Sequence, residues 1–328
     1  MRKLILIVTA LVILLTSCAA DKQSVSTEAM DTFMKFEYYG DEKAGDELAD
    51  MVKSLDKALS VTDKNSEIFR LNSDGSTPLS KDSLRLIKRS LELCEKFGGA
   101  LDITILPVVE KWGFINQNYR VPPKSEIDEA LKKVNYNNVS IYNSSVTLKN
   151  GAKIDLGAVA KGYAADKSKE ILRKHNVSSA ILNFGGTIAA VGSKPDNSPW
   201  RVGIADPENP SGYLGFISCR DKIIATSGGY ERYFDNNGRR FIHIIDPKSG
   251  YPVDNDIASI SVISGDGVLC DALSTALFVK GLSGALRYCM ENEDFDCVIV
   301  TKDKKIYISD SLADSFTLSD DSYKIIKE

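Results

Sequence analysis

The chain has 328 residues, of which 43% are hydrophobic and 26% charged, with a formal net charge of -4. These are ordinary values for a globular protein, and the mildly acidic balance leaves no basic stripe to hold nucleic acid. Two histidines are too few for a histidine-built transition-metal centre.

Arg2 and Lys3 precede a mostly apolar run over residues 4–15. The run is short for a bilayer span and suits the apolar region of a secretory signal. It ends in Leu15-Thr16-Ser17-Cys18, which resembles the bacterial lipobox. Residues 1–17 therefore read as a lipoprotein signal peptide and Cys18 as the lipidated residue. The mature chain is expected on the cell membrane, lipid-anchored on the extracytoplasmic side, with the small polar residues 18–29 as a tether. The other cysteines, Cys94, Cys219, Cys270, Cys289 and Cys297, are odd in number and form no CxxC, so they read as buried thiols.

Residues 33–39 are aromatic-rich and alternate, which predicts a strand. Ala44, Leu48, Met51, Leu55 and Leu59 give helical spacing over 41–60. Ser80 can cap a helix carrying Leu84, Ile87, Leu91 and Cys94, stopped by Gly98-Gly99. Ser125 and Asp128 resemble a capping box for a short helix to Lys133. Val139–Tyr142 and Ser145–Leu148 flank Asn143-Ser144 as a hairpin. A helix over 158–175 stops at Asn176. Strands follow over 180–183, 188–191, 201–204, 213–218, 223–226, 241–245 and 257–263. Helices over 268–278 and 282–290 precede strands over 297–300 and 305–308. Strands in runs with few helices between them argue against βαβ alternation. The expectation is one α+β domain over 30–328, with a large, mainly antiparallel sheet and flanking helices.

Asp271 and Thr275 lie one turn apart on the predicted helix 268–278, hence on one face. A carboxylate and a hydroxyl on an otherwise apolar helix look like a hard-cation site, since a buried carboxylate needs a cation or donor. Asp271 as a helix N-cap and Thr275 bonded back to its own helix are the competing accounts. Lys161 near a helix start is disfavoured by the dipole, whereas a bound phosphate is favoured there; a solvated surface lysine is the other account. Gly157 permits close backbone approach or an unusual turn, as Gly185-Gly186 can. His243 alternates with apolar neighbours, so a strand would aim it at one sheet face. Its reference pKa suits a general base; a hydrogen-bonded structural histidine, or an acidic base in its place, remain alternatives. His175, at a helix C-terminus, is accounted for by the dipole.

These patches belong to a collinear series. It comprises Met30-Asp31-Thr32, Ser66-Glu67-Ile68, Asp102-Ile103-Thr104, Trp112-Gly113-Phe114 and residues 154–164, Ile154-Asp155-Leu156-Gly157-Ala158-Val159-Ala160-Lys161-Gly162-Tyr163-Ala164. It continues through Asn183-Phe184-Gly185-Gly186, residues 198–204 with Asp206-Pro207, and Ala225-Thr226-Ser227-Gly228. It ends with residues 243–250 and the Asp-Ala-x-x-Thr-Ala pattern at 271–276. The series resembles the ApbE family, the FAD:protein FMN transferases, over nearly the whole mature chain.

The resemblance implies a T-fold-like ApbE architecture and an external lipoprotein transferase. It would cleave FAD, attach FMN by a phosphoester to a threonine of an acceptor flavoprotein, and release AMP. Rnf- or Nqr-type redox subunits and extracellular flavoproteins are the implied acceptors. Mg²⁺, with Mn²⁺ as a substitute, would be held by Asp271, Thr275 and the Ala158 carbonyl, and would act as a Lewis acid on the pyrophosphate. His243 and Asp271 would be catalytic. Met30, Ala100, Leu101, Asp102, Asp155, Lys161, His243 and Ile244 would contact FAD. Thr62 departs from the family, which often has an aromatic residue there. An FAD pyrophosphatase and a non-catalytic FAD-binding lipoprotein are the alternative functions.

Overall fold

The computed structural model describes residues 21–209 and 211–326, so the predicted signal peptide and Cys18 lie outside the described residues. The first element corrects the tether: β1 (Lys22–Ala29) is a strand, paired in register with β2 (Thr32–Tyr39) from Lys22↔Tyr39 to Ala29↔Thr32. Its alternation is carried by Gln23, Val25, Thr27 and Ala29 facing inward and Ser24, Ser26 and Glu28 outward. The residues are small and polar, but an edge strand needs only one modestly apolar face and a partner ladder. The turn between the strands is Met30-Asp31, both at positive φ (53° and 55°).

Next come α1 (Lys43–Leu59), α2 (Glu67–Asp74), β3 (Ser76–Pro78), α3 (Lys81–Lys96), α4 (Leu106–Trp112) and α5 (Lys124–Leu131). The hairpin β4 (Val139–Tyr142) and β5 (Ser145–Leu148) leads to α6 (Ala160–Lys174), β6 (Ser179–Asn183) and β7 (Thr187–Val191). Strands β8 (Trp200–Ala205), β9 (Tyr213–Cys219), β10 (Lys222–Gly228), β11 (Tyr233–Asn236), β12 (Arg239–Ile242) and β13 (Ile257–Ser264) follow. The chain closes with α7 (Gly267–Glu291), β14 (Asp296–Thr301), β15 (Lys305–Ile308), β16 (Phe316–Leu318) and β17 (Lys324–Ile326).

The main sheet has nine strands in the order β1-β2-β6-β7-β10-β13-β14-β15-β17 and is antiparallel except for the final β15–β17 pair. Its central strands are buried on both faces. On β14, Cys297 and Ile299 enter the helix-side core while Val298 and Val300 enter a second core under the β16-β9-β8 sheet. That two-sided burial is why residues 296–301 read as a nearly continuous apolar run. A third cluster joins α4, α5 and β12 around Trp112 and Phe241.

Two local expectations change. Ser125 is not a cap: α5 begins behind Pro123 without a side-chain cap, and Lys124 pairs with Asp128 one turn on. The strand expected over 241–245 is instead β12, which ends at Ile242 in a hairpin with β11, so His243 lies just past a strand end. The two expected C-terminal helices are both present: α7 consists of two helical segments divided at Gly281, whose φ of 70° and ψ of 173° break the helical path. Asn176 does end α6, at φ 54°, with Val177 N–H donating to Leu172 C=O and Asn176 N–H to Arg173 C=O. That is the paired-bond arrangement of a left-handed helix stop.

The feature that positions the site is the crossing of α6 and α7. A Cβ on Gly162 would lie 2.0 Å from the Gly267 carbonyl oxygen, and one on Gly267 would lie 2.3 Å from the Gly162 carbonyl oxygen. Only two glycines let the backbones touch here. Asp166 holds the start of α7 by accepting from Gly267 N–H (2.9 Å) and Val268 N–H (3.1 Å). Gly162→Ala is expected to lower stability by about 2 kcal/mol or more, because the overpacked methyl meets backbone and cannot rotate away. A melting curve of the variant superimposing on that of wild type would show that the helices separate at no cost.

Candidate functional site

The crossing delivers Asp271 to the N-terminal end of α6. Asp271 Oδ2 accepts from Gly162 N–H at 2.9 Å, and Thr187 Oγ1 donates to Oδ1 at 3.4 Å. The residue is 7% exposed. Burial pushes its carboxyl above the usual range, opposed by the Lys161 charge and the Gly162 N–H. The N-cap alternative falls away, because Asp266 caps α7 by accepting from Leu269 N–H at 2.9 Å. Thr275 does bond back, donating to Asp271 C=O at 3.4 Å, and also meets Ser227 Oγ at 3.2 Å. Ser227 in turn meets Ser274 Oγ at 2.8 Å, so hydroxyls from β10 and α7 form a shelf beside Asp271.

Lys161 is not a free surface lysine. Its Nζ donates to Gly185 C=O at 2.9 Å, and its charge acts on Asp271, Glu231 and His243. The turn that receives it has Gly185 at φ 74° and Gly186 at φ 94°. A Cβ on Gly185 would strike Thr32 Oγ1 at 2.1 Å, so the glycine is what allows the β1–β2 hairpin tip to close on the site. Met30, at that tip, is half-buried against the main core, and its strained φ is of a kind that clusters at ligand sites.

Asp155 lies in the chain entering α6. Its Oδ1 accepts from Gly157 N–H at 2.8 Å, and its own N–H bonds Ile103 C=O at 2.8 Å. Burial raises its carboxyl pKa while the Arg232 charge opposes that. Ala158 follows in the same turn, just before α6. Asp102 is committed to the fold. It accepts from Thr104 N–H (2.8 Å), Thr104 Oγ1 (2.6 Å) and Tyr136 N–H (3.0 Å), and its neighbours Ala100 and Leu101 are buried in the core. Its side chain has little left to offer a ligand. Ile244 is likewise a core residue, 5% exposed. Thr62 is exposed and meets only Ser60 Oγ, at 3.1 Å, through its hydroxyl.

His243 is half-buried, and its Nδ1 lies 3.1 Å from Arg232 C=O. A carbonyl only accepts, so Nδ1 carries the proton and Nε2 is left as the acceptor. Burial, then the charges of Arg232 and Lys161, push its pKa down to about 4, against the pull of the Arg232 carbonyl. A neutral imidazole with Nε2 available is the form a general base requires. His175 is separate, bridging Glu47 (2.8 Å) and Asp41 (3.2 Å), and these carboxylates rather than the helix dipole dominate its raised pKa.

Two charged residues escape a reading of the sequence. Glu231, pushed up by burial and by Asp271, lies with Oε1 3.5 Å from the Gly186 Cβ position, where Lys161 Nζ is 3.7 Å away. Arg232 reaches Asp31 at 3.7 Å and supplies the His243 carbonyl partner. Their signal was a charged pair following Gly228-Gly229, which a motif search centred on glycines and histidines passes over. Thr187 is the third, hidden directly after the glycine turn.

The donors around Asp271 are all oxygen: one carboxylate and the Thr275 hydroxyl, beside the hydroxyls of Thr187, Ser227 and Ser274. Such a set suits Mg²⁺ and not Zn²⁺, and among the described residues no cluster of three His, Cys, Asp or Glu side chains exists to hold a softer metal.

The ApbE family profile matches residues 30–299. A Klebsiella pneumoniae protein named FAD:protein FMN transferase is 30% identical, over 88% of this chain and 92% of its own length. A crystal structure of the ApbE protein from Thermotoga maritima superimposes with a TM-score of 0.83 at 31% identity, covering 89% of this chain and 98% of that one. The apo flavinyl transferase ApbE of Pseudomonas stutzeri gives 0.79 at 27% identity, over 87% and 92%.

His243 also makes stability depend on pH. Unfolded, it titrates near 6.5; folded, near 4. The unfolded chain holds the extra proton between those values. The contribution of neutral His243 is therefore complete above about pH 6.5 and is lost as pH falls toward 4. Relative to His243→Gln, wild type is expected to lose on the order of 2 kcal/mol between pH 7 and 4, after allowance for solvent screening. Urea titrations at both pH values measure this, and parallel losses in the two proteins would contradict it.

Proposed function

The chain belongs to the ApbE family, and from that premise we propose that it is an FAD:protein FMN transferase whose Mg²⁺-dependent reaction joins FMN to a threonine of an acceptor flavoprotein. The observation that carries the reading is Asp271: a carboxylate buried at a helix crossing, flanked by hydroxyls and facing Lys161. Burying a carboxylate this way is costly without a cation to meet it.

Asp271 and Thr275 would hold Mg²⁺ with the Ala158 carbonyl. Bound there, the ion supplies Lewis-acid neutralisation of the diphosphate. Lys161 exchanges its Gly185 carbonyl for a phosphate oxygen and holds the diphosphate in place, at the helix end where anions are favoured. Asp155 and the Met30 turn bound the flavin side. His243 Nε2 takes the proton as the acceptor threonine Oγ attacks the FMN phosphorus. The bond from that phosphorus to the AMP oxygen breaks, and AMP leaves. Arg232 C=O fixes the His243 tautomer, which keeps Nε2 free to accept.

The acceptors we propose are Rnf- or Nqr-type redox subunits or extracellular flavoproteins. Cys18 is proposed as the lipid anchor on the extracytoplasmic side of the membrane. Cys18→Ala is expected to move the protein from the membrane to the soluble fraction with its catalysis intact.

Asp271→Asn is the discriminating variant, because its amide oxygen can still accept from Gly162 N–H while the charge is gone. It is expected to lower transfer at least about 100-fold with little change in melting temperature. The readout is in-gel flavin fluorescence of an acceptor incubated with FAD and Mg²⁺. Unchanged labelling by Asp271→Asn would remove the site. FMN and AMP released equally fast with and without acceptor, with no label on protein, would make the enzyme a pyrophosphatase. FAD left uncleaved throughout would make it a binding protein.

A further inference from the structure

Beyond the flavin site, two cysteines are brought together by the distal half of α7 and by β14. Cys289 follows the Gly281 break on α7, and Cys297 is the second residue of β14. Their sulfurs lie 3.1 Å apart as free thiols, inside the van der Waals contact of two sulfur atoms. A disulfide requires closure by only about 1 Å more. We propose that Cys289 and Cys297 form an intramolecular disulfide that staples the distal half of α7 to the central sheet.

The surroundings divide the roles of the two sulfurs. Cys297 is 4% exposed, whereas Cys289 is half-buried and stands next to Met290, which is 71% exposed. An external oxidant therefore meets Cys289 first. Either thiol can donate to the other across this contact, and Ser309 O–H donates to the Cys297 sulfur at 3.6 Å. The remaining described cysteines have no such partner chemistry. Cys270 donates to Ile223 C=O at 3.3 Å, and burial pushes Cys94 up to about 12 and Cys219 up to about 11.

With a small disulfide RSSR as oxidant, the Cys289 thiolate attacks one sulfur, forming a Cys289–SR mixed disulfide and expelling one RS⁻. The Cys297 thiolate then attacks the Cys289 sulfur, forming the internal bond and expelling the second RS⁻. Two electrons pass to RSSR, and the two thiol protons leave on two RSH. The bond closes a short loop through the connection between α7 and β14, so its stabilisation is modest and local.

One tryptic peptide, residues 288–302 between Arg287 and Lys302, contains both cysteines. The full-length protein is incubated with oxidised glutathione, acid-quenched, unfolded, alkylated and digested. The expected peptide is unalkylated and lighter by two hydrogens, and prior dithiothreitol restores two alkylation sites. Cys297→Ser is expected to trap glutathione on Cys289, whereas Cys289→Ser leaves Cys297 unmodified. Wild type that keeps two alkylatable thiols, or that stops at a glutathione adduct, overturns the proposal. So does a Cys297→Ser protein that takes up no glutathione.

Discussion

The site depends on one contact, the approach of α6 to α7 at Gly162 and Gly267. Because neither residue carries a Cβ, the Gly162 N–H comes within 2.9 Å of Asp271 and a buried carboxylate is held at a helix end. Lys161, one residue earlier, is thereby set on the same side as the Asp271 charge. A thicker residue at either glycine would move a ligand on one element away from a cation on the other. The crossing therefore links packing to chemistry: the same two backbones that close the core fix the separation of opposite charges.

Around that contact the remaining groups arrive from distant stretches of chain. The β6–β7 glycine turn provides the carbonyl that Lys161 occupies, and it leaves room for Thr32 and the Met30-Asp31 turn. The segment after β10 contributes Glu231 and Arg232, and the end of β12 contributes His243. Three carboxylates with pKa values raised by burial, Asp155, Glu231 and Asp271, share this region with Lys161, Arg232 and a neutral imidazole. Perturbed groups clustered in this way fit a polyanionic ligand reinforced by a cation better than a closed structural network.

Much of the fold was legible because its central strands and long helices have strong periodicity. The expected strands 180–183, 188–191 and 257–263 all fall within observed ones, and 305–308 coincides with β15. What escaped was local or non-periodic. β1 is polar and gains its order from β2; α2 and α4 are short; β12 stops before His243 because the chain bends there to bond Arg232 C=O. At the site, Asp271, Thr275, Lys161, Asp155 and His243 carried recognisable context in the sequence, and the structure brings Lys161 together with Asp271 and His243. The role of the Asp102 carboxylate within the fold, bonding Thr104 and Tyr136, had no signal in the sequence. Thr187 could be found only once β7 and α7 were placed side by side.

The most direct test of the central claim is anomalous diffraction from crystals soaked in Mn²⁺, in the presence of a non-hydrolysable dinucleotide. The account predicts a peak at about 2.2 Å from an Asp271 carboxylate oxygen, within reach of the Thr275 hydroxyl and the Ala158 carbonyl. A fully occupied dinucleotide with no anomalous peak at Asp271, or with its diphosphate seated elsewhere, would contradict it.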